Sequence, residues 1–138
     1  MIGISSKTIY AVAALQELGA IPENEVLKIK EIAANASIPQ NFLEQILLEL
    51  KKQGLLMSIK GAHGGYKLAR NLKYITLKDV VLILESDIFS DNYQTESQAL
   101  KFFWDDIKQK VAEVFEIPLS ELENYQLKAD QRDENRHA

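Results

Sequence analysis

The sequence of 138 residues contains no cysteine. Disulfide bonds, zinc sites built from thiolates and cysteine nucleophiles are therefore excluded. Long apolar runs are also missing, because the longest two, Ala11 to Leu15 and Val80 to Leu84, are far shorter than a membrane-spanning helix. No basic segment followed by an apolar one opens the chain. We therefore expect a cytoplasmic protein with no membrane partner.

Acidic side chains are absent from one stretch of the chain, between Lys51 and Lys73. This stretch has a local charge of +6 in a chain whose total is −4, and its basic residues are Lys51, Lys52, Lys60, Lys67, Arg70 and Lys73. Residues 1–84 sum to +3 and residues 85–138 to −7. Only the first part of the chain is thus suited to an anionic partner.

A helix precedes and enters the basic stretch. Its apolar residues fall at helical spacing and predict a stripe that belongs to the core, formed by Phe42, Leu43, Ile46, Leu47 and Leu50. Pro39 suits the first turn of this helix, and Gly54 can take the left-handed conformation that ends it. The pattern predicts a helix from Gln40 to Lys52 with a largely uncharged polar face opposite the stripe.

A hairpin signal follows directly. Met57 and Ile59 alternate with polar residues before a glycine-rich turn, residues 61–65, and Tyr66 and Leu68 alternate with Lys67 after it. Alternation of period two on both sides of such a turn predicts two antiparallel strands. Gly61, Gly64 and Gly65 are most simply explained as turn formers.

The flanking segments complete a winged helix-turn-helix domain over residues 1–85. Ser5 or Ser6 caps a first helix that stops at Gly19, and a short second helix from Ile29 ends near Asn35. Residues 35–39 then form the turn of the motif. Thr76 begins a capping box with Asp79 and a fourth helix. The predicted fold class is mainly α with a small β-hairpin wing, followed by a long C-terminal dimerisation helix.

The acidic part of the chain holds that long helix. We expect a loop over residues 86–98, a dimerisation helix and short terminal turn over residues 99–125, and a disordered charged tail over residues 126–138. The helix carries a heptad-like seam widened by Phe103 and Phe115, and the seam residues are Leu100, Trp104, Ile107, Val111 and Val114. We expect this broad face to pack against the winged domain and against a second subunit.

These motifs together resemble the Rrf2-type winged helix-turn-helix transcription regulators of bacteria. The resemblance rests on the segment Ile38 to Leu47, on the step from Gly54-Leu55 to Lys60-Gly61, on the glycine-rich turn and on Ile75-Thr76-Leu77. It extends from Ser5-Ser6-Lys7 to about Tyr125. It implies a homodimeric, DNA-binding transcription regulator, a repressor by analogy, that binds a palindromic operator and is not an enzyme. No phosphate-cradling loop, nucleophile elbow or metal motif argues otherwise.

Site residues follow from the motif. The residues expected to read bases are Gln40, Asn41, Glu44 and Gln45, and those expected at the backbone or in the wing are Lys7, Lys52, Lys60, Gly61, His63, Gly64, Gly65 and Lys67. The wing usually has proline and glycine in the family where this chain has Ala62 and His63. For Glu44, the alternative is that it only pairs with a lysine or caps nothing at all.

Two further expectations concern ligands. Several members of the family hold an iron-sulfur cluster through three cysteines in the loop before the dimerisation helix, and this chain has none there. We therefore expect no cofactor, and the lone His63 does not make a metal site. The sequence does not name an effector or protein partner. The alternative function is a winged-helix module that binds a protein and does not read DNA.

Overall fold

The computed structural model describes residues 3–86, 88–90 and 94–137. The helices and strands are α1 (Ser6–Gly19), α2 (Ile29–Ala36), α3 (Gln40–Lys52), β1 (Leu56–Ile59), β2 (Gly65–Leu68), α4 (Leu77–Leu84), α5 (Gln98–Val114) and α6 (Leu122–His137). Short 3-10 turns precede α4 and α6. The predicted fold class is confirmed. Within the predicted loop 86–98, Asp87 and residues 91–93 lie outside the described residues.

The helix-turn-helix is formed by α2 and α3 around a tight turn. Ser37 takes a left-handed conformation with φ of 55°, which reverses the chain between the two helices. Ile38 of the turn is buried, and so is the α3 stripe from Leu43 to Leu50, against α1. Removal of these side chains from water is the main stabilising term of the domain.

Phe42 corrects the expectation that the whole stripe is core. Its side chain is 42% exposed, and its ring meets Tyr10 of α1 edge-on, with 5.7 Å between the centroids. Phe42 lies in the first turn of α3 at the edge of the stripe, where burial is incomplete. Leu43, Ile46 and the two further leucines of the stripe are fully buried.

A third segment of the chain, a single residue long, pairs with the wing. Strands β1 and β2 pair antiparallel with Leu56 opposite Leu68 and Ile59 opposite Gly65. Leu27, just before α2, exchanges two backbone hydrogen bonds with Tyr66, of 3.0 and 2.7 Å. This bridge joins the wing to the helix-turn-helix, and no pattern in the sequence predicts it.

The capping box of α4 is present, whereas the expected serine cap of α1 is not. Thr76 Oγ1 accepts from the Asp79 amide at 3.1 Å, and Asp79 Oδ2 accepts from the Thr76 amide at 2.9 Å. Ser5 occupies the N-cap position of α1 without a side-chain cap bond. Its hydroxyl donates instead to Glu85 Oε1 at 2.7 Å, because that carboxylate lies at the end of α4 beside the start of α1.

The long helix α5 leaves the winged domain and the chain then returns to it. Ser97 caps α5 by accepting from the Leu100 amide, and not one residue of α5, all of which are described, is buried. The following residues pair with the start of α4, where the Lys78 amide donates to the Phe115 carbonyl at 2.7 Å. Leu119 completes the return in the core. The expected packing of the α5 seam on its own winged domain is therefore wrong, because the seam residues from Leu100 to Val114 are exposed.

The tail also differs from the expectation. Residues 122–137 form the 16-residue helix α6, not a short turn and a disordered tail. Straight-chain residues and charges of both signs favour a helix in a segment that has no apolar face, and Gln126 donates to Asp130 one turn later at 3.0 Å. In the described part of the chain, no helix is both long enough and apolar enough to cross a membrane.

Candidate nucleic-acid interface

The structure brings the four expected base-reading residues together on the outer face of α3. They lie opposite the buried stripe and all four are exposed, namely Gln40, Asn41, Glu44 and Gln45. In a helix-turn-helix the N-terminal part of the second helix meets the bases, and these side chains occupy its first two turns. Within the described part of the chain, no lysine or arginine forms an ion pair with Glu44. The alternative in which Glu44 pairs with a lysine is therefore not seen.

The expected backbone contacts fall into two groups. Lys52, at the end of α3, and Lys60, just after β1, are exposed. Lys7 and Lys67 already have protein partners: Lys7 Nζ lies 2.8 Å from Glu49 Oε1, and Lys67 Nζ donates to the Glu23 carbonyl at 2.6 Å. Part of the charge of these two ammonium groups is therefore compensated within the protein.

The tip of the wing is a tight turn that requires glycine. Gly61 has φ of 110°, and its carbonyl accepts from the Gly64 amide at 3.0 Å. A Cβ on Gly64 would overlap the Ile59 carbonyl, and one on Gly65 would overlap the backbone of Leu27. Gly64 is also buried, so its role is to shape the turn, whereas His63 is exposed at the tip.

The sequence pattern of Rrf2, described as "Iron-dependent Transcriptional regulator", matches residues 4–125. This chain belongs to the Rrf2 family. It is 32% identical over 124 residues to the transcriptional regulator CymR of Bacillus subtilis, a match that covers 88% of this chain and 90% of that protein. An Aquifex aeolicus relative, a putative transcriptional regulator, is 37% identical over 87 residues, which is 63% of this chain and 56% of that protein.

The solved structure of CymR from B. subtilis, described as a global cysteine regulator, superimposes with a TM-score of 0.79. It is 31% identical, and the match covers 91% of this chain and 98% of that one. The agreement extends well beyond the winged domain, so α5 belongs to the shared fold. This Rrf2 protein is a DNA-binding transcription regulator and not an enzyme, as the sequence predicted.

The family description includes iron, and the donor groups of this Rrf2 chain do not fit a thiolate-held cluster. The chain has no cysteine, and thiolates are what hold iron-sulfur clusters. Among the described residues, no three His, Asp or Glu side chains gather into a group that could bind a metal ion. The loop before α5 instead places Phe89 against Phe115, with 5.8 Å between the ring centroids.

Sequence reasoning missed one contact that the wing tip makes. Lys28, the N-cap residue of α2, donates from Nζ to the Ala62 carbonyl at the wing tip, over 3.0 Å. Thirty-four positions separate the two residues, so no local sequence pattern links them. The Leu27 bridge, which no sequence pattern indicates, joins the segment before α2 to the wing beside this contact.

Proposed function

We propose that this Rrf2 protein is a cytoplasmic homodimer that recognises a palindromic operator and represses transcription. The observation that carries the proposal is the exposed polar face on the first two turns of α3, next to a hairpin free of acidic residues. Polar side chains read base edges, while lysines and backbone amides hold phosphates. The two surfaces supply both kinds of contact.

In this proposal each residue group has its own role. Asn41 and Gln45 have the amide groups that pair with adenine, and Glu44 has the carboxylate that accepts from the cytosine amino group. Lys52 and Lys60 hold phosphates, and His63 follows the groove at the wing tip. Lys7 and Lys67 contribute a weaker attraction, since Glu49 and the Glu23 carbonyl already bind their ammonium groups.

The dimer rests on α5. Its seam is exposed in the single chain, and the contacts we assign to the interface are those of Leu100, Phe103, Trp104, Ile107, Val111 and Val114. An apolar face of this width on a helix with no buried residue needs a partner surface, and a second copy offers a self-complementary one. In this proposal residues 1–85 form the winged domain and residues 99–125 the dimerisation segment. Two-fold symmetry then requires half-sites about 10 bp apart, or a multiple of that.

Selection of bound fragments from the host genome tests this function. We expect a short palindromic consensus that is enriched near promoters. Binding to the consensus should persist at salt concentrations that release random duplex, because non-specific binding is almost entirely electrostatic. If the protein recovers no common sequence and leaves random duplex at low salt, it is instead an interaction module for a protein partner.

A further inference from the structure

The segment that precedes α2 pairs with the wing. Leu27 pairs with Tyr66 of β2 through two backbone hydrogen bonds, and Glu31 Oε1 accepts from the Lys28 amide at 3.0 Å. The backbone of Lys28 is therefore fixed on both sides. From this fixed point its side chain reaches the wing tip and donates to the Ala62 carbonyl at 3.0 Å.

The position of the Ala62 carbonyl explains why its contact with Lys28 matters. Ala62 lies inside the turn closed by Gly61 and Gly64, between Lys60 and His63. A turn at the end of a two-stranded hairpin has few other contacts, and such segments open at low free-energy cost. A hydrogen bond from an ammonium group is stronger than a neutral one and restricts the tip.

We propose that Lys28 is a positioning residue for DNA binding. It sets the angle of the wing and so delivers Lys60 and His63 to the phosphate backbone, without contacting DNA itself. The inference rests on the proposed function, since it names the residue that organises the wing surface used there. Lys28 and Lys30 are both exposed, but the ammonium group of Lys28 is hydrogen-bonded to the tip carbonyl, which distinguishes it from Lys30, two positions later.

A double-mutant cycle separates positioning from direct contact. We expect Lys28→Met to weaken operator binding about 3- to 10-fold, the range of one hydrogen bond. In a chain that already carries Lys60→Ala and His63→Ala, the same change should cost less than about twofold, because the tip no longer contributes. Lys28→Arg should restore binding, and Lys30→Met, which removes the same charge, should cost less than about twofold. Equal losses in both backgrounds would overturn the proposal and make Lys28 a phosphate contact.

A measurement without DNA keeps this test independent of the proposed function. Backbone ¹⁵N relaxation of Gly61 and Gly64 reports motion of the tip on the nanosecond scale. We expect larger amplitudes in Lys28→Met than in the wild type and in Lys28→Arg. Unchanged relaxation in Lys28→Met would overturn the inference even if the protein binds DNA. A wild type that binds no operator would refute the proposed function. The relaxation measurement would still decide whether Lys28 restricts the motion of the wing tip.

Discussion

The hydroxyl of Thr8 donates a 2.7 Å hydrogen bond to Oε1 of Glu85. The same oxygen accepts from the hydroxyl and the amide of Ser5, at 2.7 and 2.8 Å. One carboxylate thus joins the start of α1 to the end of α4, at the point where the chain leaves for α5. The Ser5 hydroxyl, the Ser5 amide and the Thr8 hydroxyl together hold the pKa of Glu85 below its usual 4.5.

We predict that Glu85→Ala lowers the free energy of unfolding by about 1–3 kcal/mol, because Thr8 is only 1% exposed and its hydroxyl loses its acceptor. A depressed pKa in the folded state stabilises the protein above the unfolded value of 4.5 and loses that contribution as the pH falls through the folded value. Urea denaturation at pH values from neutral to about 3 measures this dependence. The free energy of unfolding should decline less in Glu85→Gln than in the wild type over this range. Glu25→Gln, which changes an exposed carboxylate, is the matched control and should retain the wild-type decline.

Glu44 and Glu49 lie on the same helix and are predicted to behave differently. Glu44→Ala should relax the preference at one base pair of each half-site, worth roughly 1 to 3 kcal/mol of discrimination, while binding to unrelated duplex holds or tightens. Glu49→Ala should leave the base preference intact, because Glu49 is paired with Lys7. Binding assays on an operator set with single substitutions measure both. A Glu44→Ala protein with the full wild-type preference would assign that residue to the scaffold.

Lys60 is predicted to act on phosphate. Lys60→Ala should weaken binding to every duplex by a similar factor and lower the slope of log affinity against log salt by about one. The reason is the loss of one exposed ammonium group beside the wing turn. Titrations of the operator and of random duplex at several salt concentrations give the slope. A loss confined to the operator would contradict a backbone contact.

The α5 seam is predicted to hold the dimer. Trp104→Asp or Ile107→Asp should yield monomers or insoluble protein, because each places a charge within the apolar seam. Phe102 is the control, since it is 71% exposed and lies two positions before Trp104, on the other side of the helix. Phe102→Asp should sediment as a dimer. A wild-type chain that sediments as a monomer at micromolar concentration would rule out this interface.

Iron is predicted to be absent from the purified protein. Protein prepared without oxygen should be colourless and contain no stoichiometric iron or sulfide, because the chain supplies no thiolate. Metal analysis and visible absorption are the measurements. Bound iron with sulfide would contradict the prediction and require ligands of another chemistry.

Local signals predicted most of the winged domain. The bounds of α3 agree with the spacing of its apolar residues and with Gly54, which has φ of 80°. The capping box at Thr76 and Asp79 depends on residues three apart, so it too is readable from the sequence. The exposure of the polar face of α3 could also be predicted, because this face lies opposite the buried stripe.

Long-range contacts could not be predicted in this way. The Leu27 bridge involves a single residue of one segment, so it leaves no periodic pattern. The partners of Lys7 and Lys67 lie 42 and 44 positions away, and only the packed fold brings them near. Helix α6 was missed for another reason, since a chain of mixed charge without an apolar stripe has the composition of a disordered tail.

The backbone contacts at Gly64 and Gly65 restrict how the wing can be redesigned. A side chain at Gly64 would overlap the Ile59 carbonyl, and one at Gly65 would overlap the Leu27 carbonyl. Substitutions at these positions would therefore distort the hairpin itself, and any change in its contacts with DNA would be a consequence of that distortion. Ala62 and His63 have exposed side chains in the same turn. A combinatorial library that aims to change groove preference should therefore randomise these two positions and leave both glycines untouched. Related proteins that bind other operators are expected to differ from this chain at positions 62 and 63.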